Sequence, residues 1–528
     1  MLRPRVDWGR MTANGRAVGF LAVVLGLAGF ALPAYAQDVS AAATLALHGD
    51  SGGIPPCSSC HGTAGEGNAA AGYPRLAGLP ATYLGAQLNA LADGNRQSPV
   101  MGPFAKQLSR QQRLELAAYY AGLPKSAHAA VAAAGQLDEQ VALRGRWSDE
   151  IPACVQCHGT QGSGVGSAFP PLAGQPSEYI ASQLHAWKRG TRRGDPLGLM
   201  QAIASRLSEQ DIRAVAEYFA ASPTQTAEAH SAAGGSPRQG MSDLPASTAP
   251  ADARQPRKFT PTDNPIPDDD FGKVVQSGRQ IFDAPARYAS QYVGNSLSCT
   301  NCHLDEGRRV GSAPLWAAYV SYPAYRAKNH HVNTFEERLQ GCFRYSMNGK
   351  SPPLGDPVLV ALESYAYWMA QGAPLDPKIP GRGYRKPPKP APPDYQRGSQ
   401  VYVEKCALCH GGDGAGQRDN EGQATFPALW GADSFNWGAG MGSVSNAAAF
   451  IKDNMPLGRG GTLSDQEAWD LALFMDSHER PQDPRYTGSV AETRAQFHDE
   501  EDWMYGKVVN GHLLGSDSVP PGPRSRGH

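Results

Sequence analysis

The pattern Cys-x-x-Cys-His occurs four times in this chain and constrains the fold more than any other feature of the sequence. Two thiols followed directly by a histidine form the attachment site of c-type haem: the thiols make thioethers to the porphyrin and the histidine ligates the iron. One copy would also suit a zinc or thiol-redox site, but four copies that all end in histidine favour haem. The sequence therefore predicts four covalently bound haem c groups, attached through Cys57, Cys60, Cys154, Cys157, Cys299, Cys302, Cys406 and Cys409, with the iron ligands His61, His158, His303 and His410.

The chain length and an internal repeat predict how these haems are arranged. A chain of 528 residues is expected to form several domains. Residues 73–90 and 169–186 share the pattern P-x-L-A-G-x-P-x-x-Y-x-x-x-Q-L-x-A, and each copy is followed by an amphipathic helix with a serine N-cap, Ser109 or Ser208. The predicted fold is all-α, with four class I cytochrome c-like haem domains arranged as two dihaem pairs.

The N-terminus has the composition of a secretory signal peptide. Four arginines precede or border an apolar run over residues 18–32, and a small-residue cleavage pattern follows at 34–36. We therefore expect a periplasmic protein, with an uncleaved membrane anchor as the alternative. The formal net charge of −1 gives no indication of a nucleic-acid partner.

Changes in composition along the chain predict the domain boundaries. One polar stretch rich in Ala, Ser and Pro is interpreted as a flexible linker, and a later stretch rich in Pro, Lys and Arg as an extended connector. The polar C-terminal tail carries no haem motif, so it either wraps the last domain or is disordered. The predicted segments are a signal peptide at 1–36, haem domains at 37–130 and 131–223, the linker at 224–262, a haem domain at 263–373, the connector at 374–393, a haem domain at 394–480 and the tail at 481–528.

Class I haem domains supply a second iron ligand, usually methionine, downstream of the histidine. Met101 and Met200 occupy equivalent positions in the two repeats, each shortly before the closing helix, and are the predicted distal ligands there. His/Met ligation raises the reduction potential, which suits electron acceptors. In the fourth domain Met455, which precedes a proline, is the predicted ligand, with Met441 and Lys452 as alternatives.

The third domain has Cys342 where methionine is expected. A thiolate ligand pushes electron density onto the iron and lowers its potential. Met347 is the alternative ligand, and an inert core cysteine is the alternative role for Cys342. Basic residues surround this position and suit either a small oxyanion or a solvated surface, and a nearby hydroxyl is a further donor; they are Arg326, Lys328, Arg338, Arg344 and Lys350, with Ser346.

Two parts of the chain resemble known families. Residues 263–480 are similar to the dihaem thiosulfate dehydrogenases, and the similarity is carried by the runs 295–304, 322–328, 332–338 and 342–349. This resemblance implies that Cys342 ligates the active-site haem, that Arg338 and Ser346 belong to the catalytic pocket, and that two thiosulfates are coupled into tetrathionate. Residues 37–223 resemble dihaem cytochrome c4, through the shared repeat and its paired methionines.

Together these resemblances imply an enzyme fused to its own electron acceptor. Arg326, Lys328 and Lys350 are then candidates for binding thiosulfate or tetrathionate. Electrons would pass through the His410 haem to the N-terminal pair. The acceptor beyond that pair would be a soluble cytochrome, a high-potential iron–sulfur protein, or a membrane oxidase or reaction centre.

Other readings of the sequence remain open. Four haems alone also suit a non-catalytic multihaem electron-transfer cytochrome, and a peroxidase-like haem enzyme is a third possibility that requires an open iron. The direction of the thiosulfate–tetrathionate reaction is not determined. Asn454 stands directly before Met455, so a lysine ligand at that place, which some family members carry, is absent.

Overall fold

The computed structural model describes residues 35–125, 140–223, 259, 261, 265–326, 329–374 and 381–518. The predicted signal peptide and linker therefore lie almost entirely outside the described residues. Within these ranges the structure is helical, and the β structure consists of three two-stranded antiparallel sheets. The predicted all-α class is confirmed. Among the described residues, no helix has the length and apolar composition that crossing a membrane requires.

The first two units (35–125 and 140–223) have matching helices. The closing helices begin at the predicted serines: the Ser109 and Ser208 side chains each accept from a backbone N–H of the first turn, and both form complete capping boxes. Unit one contains the helices Tyr35–His48, Ser58–His61, Ala81–Ala92, Met101–Gln107 and Arg110–Gly122. Unit two contains Gln140–Leu143, Val155–His158, Ser177–Lys188, Leu199–Arg206 and Glu209–Ala221.

Units three (265–374) and four (381–480) each pack their first helix against their last. Gly278 lies so close to the last helix of unit three that a Cβ atom there would stand 2.0 Å from the carbonyl oxygen of Ala361, and Gly398 has the same relation to Asp470 at 2.1 Å. Glycine permits this close approach of two backbones. The helices of unit three are Asp270–Asp283, Pro285–Tyr288, Leu315–Tyr319, Phe335–Gly341 and Pro357–Met369, with strands Ala324–Arg326 and His331–Asn333. Those of unit four are Tyr395–Lys405, Ala407–His410, Val444–Asn454 and Asp465–Asp476, with strands Gln417–Arg418 and Ala424–Phe426.

Units three and four share one apolar core. It includes Trp316 and Tyr365 from unit three and Trp437 from unit four, all fully buried. The buried Asn295 side chain joins the two units by donating to the carbonyl oxygens of Ser346 (2.9 Å) and Ser434 (3.1 Å). These contacts make the two units one rigid pair.

The C-terminal segment (481–518) wraps this pair. It contains the helix Val490–Phe497 and the strands Val508–Val509 and His512–Leu513. Met504, Tyr505 and Leu514 are buried in the core shared by units three and four. The sequence left two possibilities for this tail, wrapping the last domain or disorder, and its described part packs against the domains.

A buried contact between a histidine and a carboxylate holds two parts of the C-terminal segment together. His498 Nε2 lies 2.8 Å from Asp483 Oδ2, and both side chains are fully buried. Burial alone would raise the pKa of Asp483, but hydrogen bonds from Arg485 and His498 outweigh it and hold that pKa below its usual range. The carboxylate therefore stabilises the segment above about pH 4, and this contribution is lost as the pH falls through the lower folded-state pKa.

We predict that Asp483→Asn loosens the internal packing of the C-terminal segment, because the Arg485 guanidinium loses its anion and the buried His498 ring loses its partner, at a cost of about 3–5 kcal/mol. Limited proteolysis at neutral pH measures this as faster cleavage within residues 481–518. The control is Asp517→Asn, whose side chain is 74% exposed and which should leave the cleavage rate unchanged. Equal resistance of Asp483→Asn and the wild type to proteolysis would show that the Asp483–His498 contact does not hold the segment together.

Candidate haem sites and active site

Each predicted proximal histidine is oriented by a backbone carbonyl. The Nδ1 atom of each ring hydrogen-bonds a carbonyl oxygen, so the ring presents Nε2 to the space where iron would bind. Burial lowers the pKa of all four rings and so favours the neutral form that ligates metals. The pairs are His61–Pro74 (3.0 Å), His158–Pro170 (2.9 Å), His303–Ala313 (2.6 Å) and His410–Pro427 (2.9 Å).

The cavity of unit one fits a haem with histidine and methionine ligands. Its volume is about 1180 Å³, and its walls are largely apolar side chains. Both attachment thiols and both predicted iron ligands line this one space: Cys57, Cys60, His61 and Met101. In unit two the predicted ligand Met200 packs with Cys154 against the core of its own unit.

A second cavity, of about 720 Å³, lies where units two, three and four meet. A buried arginine lies behind one wall: the Arg480 guanidinium pairs with Asp476 at 3.2 Å and lies over Phe435, 4.3 Å from the ring centre, and Phe435 lines the cavity. Arg480 Nε and Nη1 have no hydrogen-bond partner among the described residues, and such donors match the propionate groups of a haem. The lining includes Cys302, Cys406, Cys409, His410, Met441 and Met455.

Two methionines of the fourth unit are therefore candidate distal ligands. Met441 and Met455 both line the cavity and both pack against the apolar cluster of Trp147, Leu304 and Phe450. Lys452, the other alternative, forms an ion pair with Asp465 at 3.1 Å and donates to a backbone carbonyl. An ammonium held in this way is not available as a ligand, because ligation requires its lone pair.

Cys342 lies at the start of a π-helical turn, Cys342–Ser346, that continues the helix Phe335–Gly341. Arg338 Nη1 donates to Cys342 Sγ at 3.1 Å. A negative charge on the Cys342 sulfur raises the pKa of Arg338, against the opposing effect of burial. Single π-helical turns occur often at functional sites.

The three predicted catalytic residues fall on one side of this helical segment. Arg338, Cys342 and Ser346 follow at intervals of four residues, which is the spacing of side chains on one helix face. Met347, the alternative ligand, is instead 3% exposed and packs in the apolar core. The geometry thus favours Cys342 over Met347 as the residue that faces the haem.

The other predicted basic residues are distributed unevenly. Arg326, at the end of a short strand, donates to the Tyr322 hydroxyl at 2.7 Å, and Tyr322 in turn adds to the electrostatic stabilisation of Arg338. Lys350 is exposed and Arg344 points outward to the carbonyl of Pro484. Lys328 lies outside the described residues.

Tyr384 is a residue of this site that the sequence did not single out. It comes from the predicted connector, in the part that opens unit four, and packs edge-on against Phe450, with ring centres 5.9 Å apart. Burial raises the pKa of Tyr384, the nearby Cys302 and Cys342 add to the rise, and Arg338 opposes it. The tyrosine therefore lies within the electrostatic field of the Cys342–Arg338 pair.

A pair of phenylalanines connects unit four to unit two. Phe169 lies 6.3 Å from the His158 ring, Phe426 lies 6.4 Å from the His410 ring, and the two phenylalanines are 5.0 Å apart. The motif thiols Cys157 and Cys409 are also close enough to interact electrostatically. Both phenylalanines precede a proline whose carbonyl holds the proximal histidine, and this shared Phe-Pro pair was the available sequence signal.

Family models for haem proteins match all four units. The model described as cytochrome c covers residues 56–123 and 151–222, and the SoxA/TsdA cytochrome c domain covers 283–375. The model described as cytochrome C oxidase, cbb3-type, subunit III covers 393–475. The chain is therefore an all-α multihaem cytochrome, as predicted.

Similar proteins match both halves of the predicted fusion. The thiosulfate dehydrogenase of Thiomonas intermedia is 63% identical over 265 residues, which are 50% of this chain and 84% of that protein. The thiosulfate dehydrogenase electron acceptor of the same organism is 50% identical over 179 residues, 33% of this chain and 82% of that protein. The solved structure of the thiosulfate dehydrogenase TsdBA from Marichromatium purpuratum has a TM-score of 0.81 and 42% identity, over 91% of this chain and 100% of that one. The resemblance to an enzyme joined to a cytochrome acceptor is confirmed.

We predict that Met455→Leu removes one iron–sulfur bond, whereas Met441→Leu does not. Losing methionine as a ligand lowers the reduction potential of the affected haem. The measurement is the charge-transfer band of Met-ligated ferric haem, which should fall by about one third in Met455→Leu because three such haems are predicted. The reverse result, with the band reduced only in Met441→Leu, would assign the ligand to Met441.

Proposed function

The chain belongs to the thiosulfate dehydrogenase family, and from this premise we propose that it couples two thiosulfate ions into tetrathionate beside the His303 haem. The observation that carries this proposal is the hydrogen bond from Arg338 to the Cys342 sulfur. A pure electron carrier has no use for a thiolate paired with a cation inside a haem domain. The reaction releases two electrons for each tetrathionate formed.

The four haems are proposed to be held by the motif cysteines and histidines, with Met101, Met200, Cys342 and Met455 as the distal ligands. Each haem, when bound, accepts one electron. Two electrons therefore need two such centres, and the shared core of units three and four keeps the His303 and His410 sites in one rigid pair.

Positive charge is required because each thiosulfate carries two negative charges. Arg338 lies beside the reacting sulfur, and Arg326 donates to Tyr322, which interacts electrostatically with Arg338. Charge-assisted hydrogen bonds from such groups stabilise an oxyanion more strongly than neutral donors do. Ser346 lies four residues after Cys342 on the same side of the helical segment, and it is proposed to donate a further hydrogen bond to the oxyanion.

Cys342 is proposed to be the nucleophile. Once released from the iron that it would ligate, its thiolate would form a bond to the outer sulfur of the first thiosulfate, and the two electrons released would pass to the haems. The outer sulfur of the second thiosulfate then attacks the bound outer sulfur and breaks its bond to Cys342. Tetrathionate departs and the thiolate is restored, so the charges balance in both steps. The reverse sequence would reduce tetrathionate.

Electrons are proposed to leave unit four for unit two across the Phe169–Phe426 contact and then to reach unit one. Unit two is seated directly on unit four: the backbone N–H of Thr160 donates to Asp419 Oδ2 at 3.0 Å, and Asn420 Nδ2 donates to the Ser163 carbonyl at 2.6 Å. Joining both parts in one chain keeps the acceptor at a high effective concentration. The proposed setting is the periplasm, with a soluble cytochrome, a high-potential iron–sulfur protein, or a membrane oxidase or reaction centre as the next acceptor.

We predict that thiosulfate rapidly reduces the oxidised wild-type holoprotein and that Cys342→Gly slows this reduction by on the order of 10⁴-fold, since it removes the nucleophile. Stopped-flow absorption of the haem α-band follows the reaction, and product analysis identifies tetrathionate. Dithionite should reduce both proteins fully, which shows that the haems are present.

Two arginines provide a matched control. Arg338→Gln should slow the reduction by about 10²–10³-fold, as expected for loss of a preorganised cationic donor, whereas Arg344→Gln should not, because Arg344 is exposed. Equal rates in the wild type and Cys342→Gly would remove Cys342 from the mechanism. Wild-type haems that dithionite reduces and thiosulfate does not would favour the carrier or the tetrathionate-reducing direction.

A further inference from the structure

Arg309 lies at the point where units two, three and four meet. Its Nη2 donates to both carboxylate oxygens of Glu150 in unit two, at 3.0 Å each, and its Nε donates to Asn454 Oδ1 in unit four at 3.0 Å. The guanidinium also stands over the Trp147 ring of unit two, 5.1 Å from its centre. The Arg309 side chain is 12% exposed and the Glu150 side chain is 42% exposed, so the contact with Glu150 is partly open to water, whereas Asn454 is buried.

Asn454 has its amide fully engaged. While Oδ1 accepts from Arg309, Nδ2 donates to the carbonyl oxygens of Gly311 (3.3 Å) and Phe450 (3.0 Å). The residue is 2% exposed. A buried amide with both ends bonded holds its own backbone in one place, and the next residue along the chain is Met455.

The neighbouring side chains are anchored as well. Lys452 pairs with Asp465 at 3.1 Å, and Asp453 accepts from Arg385 at 2.8 Å. Of these three contacts, only that of Asn454 extends to unit two, because Arg309 bonds both Asn454 and Glu150. Met455 itself packs in a small apolar cluster that includes Trp147, the same ring that Arg309 covers.

We propose that Arg309 is a positioning residue that couples the seating of unit two to the placement of the Met455 sulfur. The inference rests on the proposed function in one respect, the assignment of Met455 as a ligand. The planar guanidinium donates to a carboxylate through Nη2 and to an amide oxygen through Nε, which a single lysine ammonium cannot do with the same geometry. Docking of unit two thus fixes the position of the Met455 loop in unit four, the unit from which unit two is proposed to receive electrons.

The test uses the oxidised full-length holoprotein without thiosulfate. In Arg309→Gln we expect the charge-transfer band of Met-ligated ferric haem to fall by up to about one third, with a lower reduction potential for one haem. Glu150→Gln should shift both readouts in the same direction by less. Arg309→Gln combined with Asn454→Ala should go no further than the larger single change, because the two residues act through one contact.

Two matched variants separate this role from general effects. Asn420→Ala removes a hydrogen bond between the same two halves, and Arg385→Gln removes the anchor of the residue next to Asn454; both should retain the wild-type band. The proposal is overturned by an unchanged band in Arg309→Gln, by an equal loss in Asn420→Ala, or by an unchanged band in Met455→Leu. Since the band is read without substrate, failure of thiosulfate to reduce the wild type would count against the proposed function and not against Arg309.

Discussion

The hydrogen bond from each proximal histidine to a backbone carbonyl is the interaction on which the rest of the structure depends. It turns Nε2 toward the haem space in all four units, and in units one, two and four the carbonyl belongs to a proline that follows an aromatic residue. That aromatic residue then lies beside the histidine ring. Phe169 of unit two and Phe426 of unit four contact each other. The Phe-Pro pairs that orient the two histidines therefore also form part of the contact between enzyme and acceptor.

The third unit departs from the other three in a way that suits chemistry. Its histidine is held by Ala313, and a π-helical turn begins at Cys342, where the other units are predicted to use methionine. Arg338 donates to the Cys342 sulfur, and a negative charge on that sulfur raises the pKa of Arg338. The Arg338 and Cys342 side chains are partly buried, and the neighbouring Leu339 and Phe343 belong to the core shared by units three and four.

The sequence predicted the features that depend on residues close together in the chain. The haem motifs, the serine caps at Ser109 and Ser208 and the all-α class follow from residues close together in the sequence. Contacts between distant segments left no such pattern: Arg309 meets Asn454 and Glu150 across separations of 145 and 159 residues. Tyr384 was hidden in a connector whose proline content suggested only a spacer. The ligand and substrate roles of the named residues, including Lys328 and Lys350, stay predictions.

The central claim is that Cys342 ligates the His303 haem through its sulfur. Electron paramagnetic resonance of the oxidised holoprotein tests it most directly, because a thiolate ligand changes the electronic state of low-spin ferric haem. The account predicts one thiolate-type signal in the wild type that is absent from Cys342→Gly, while the signals of the other three haems persist. Identical spectra for the two proteins would contradict the account, since Cys342 would then not be bound to iron.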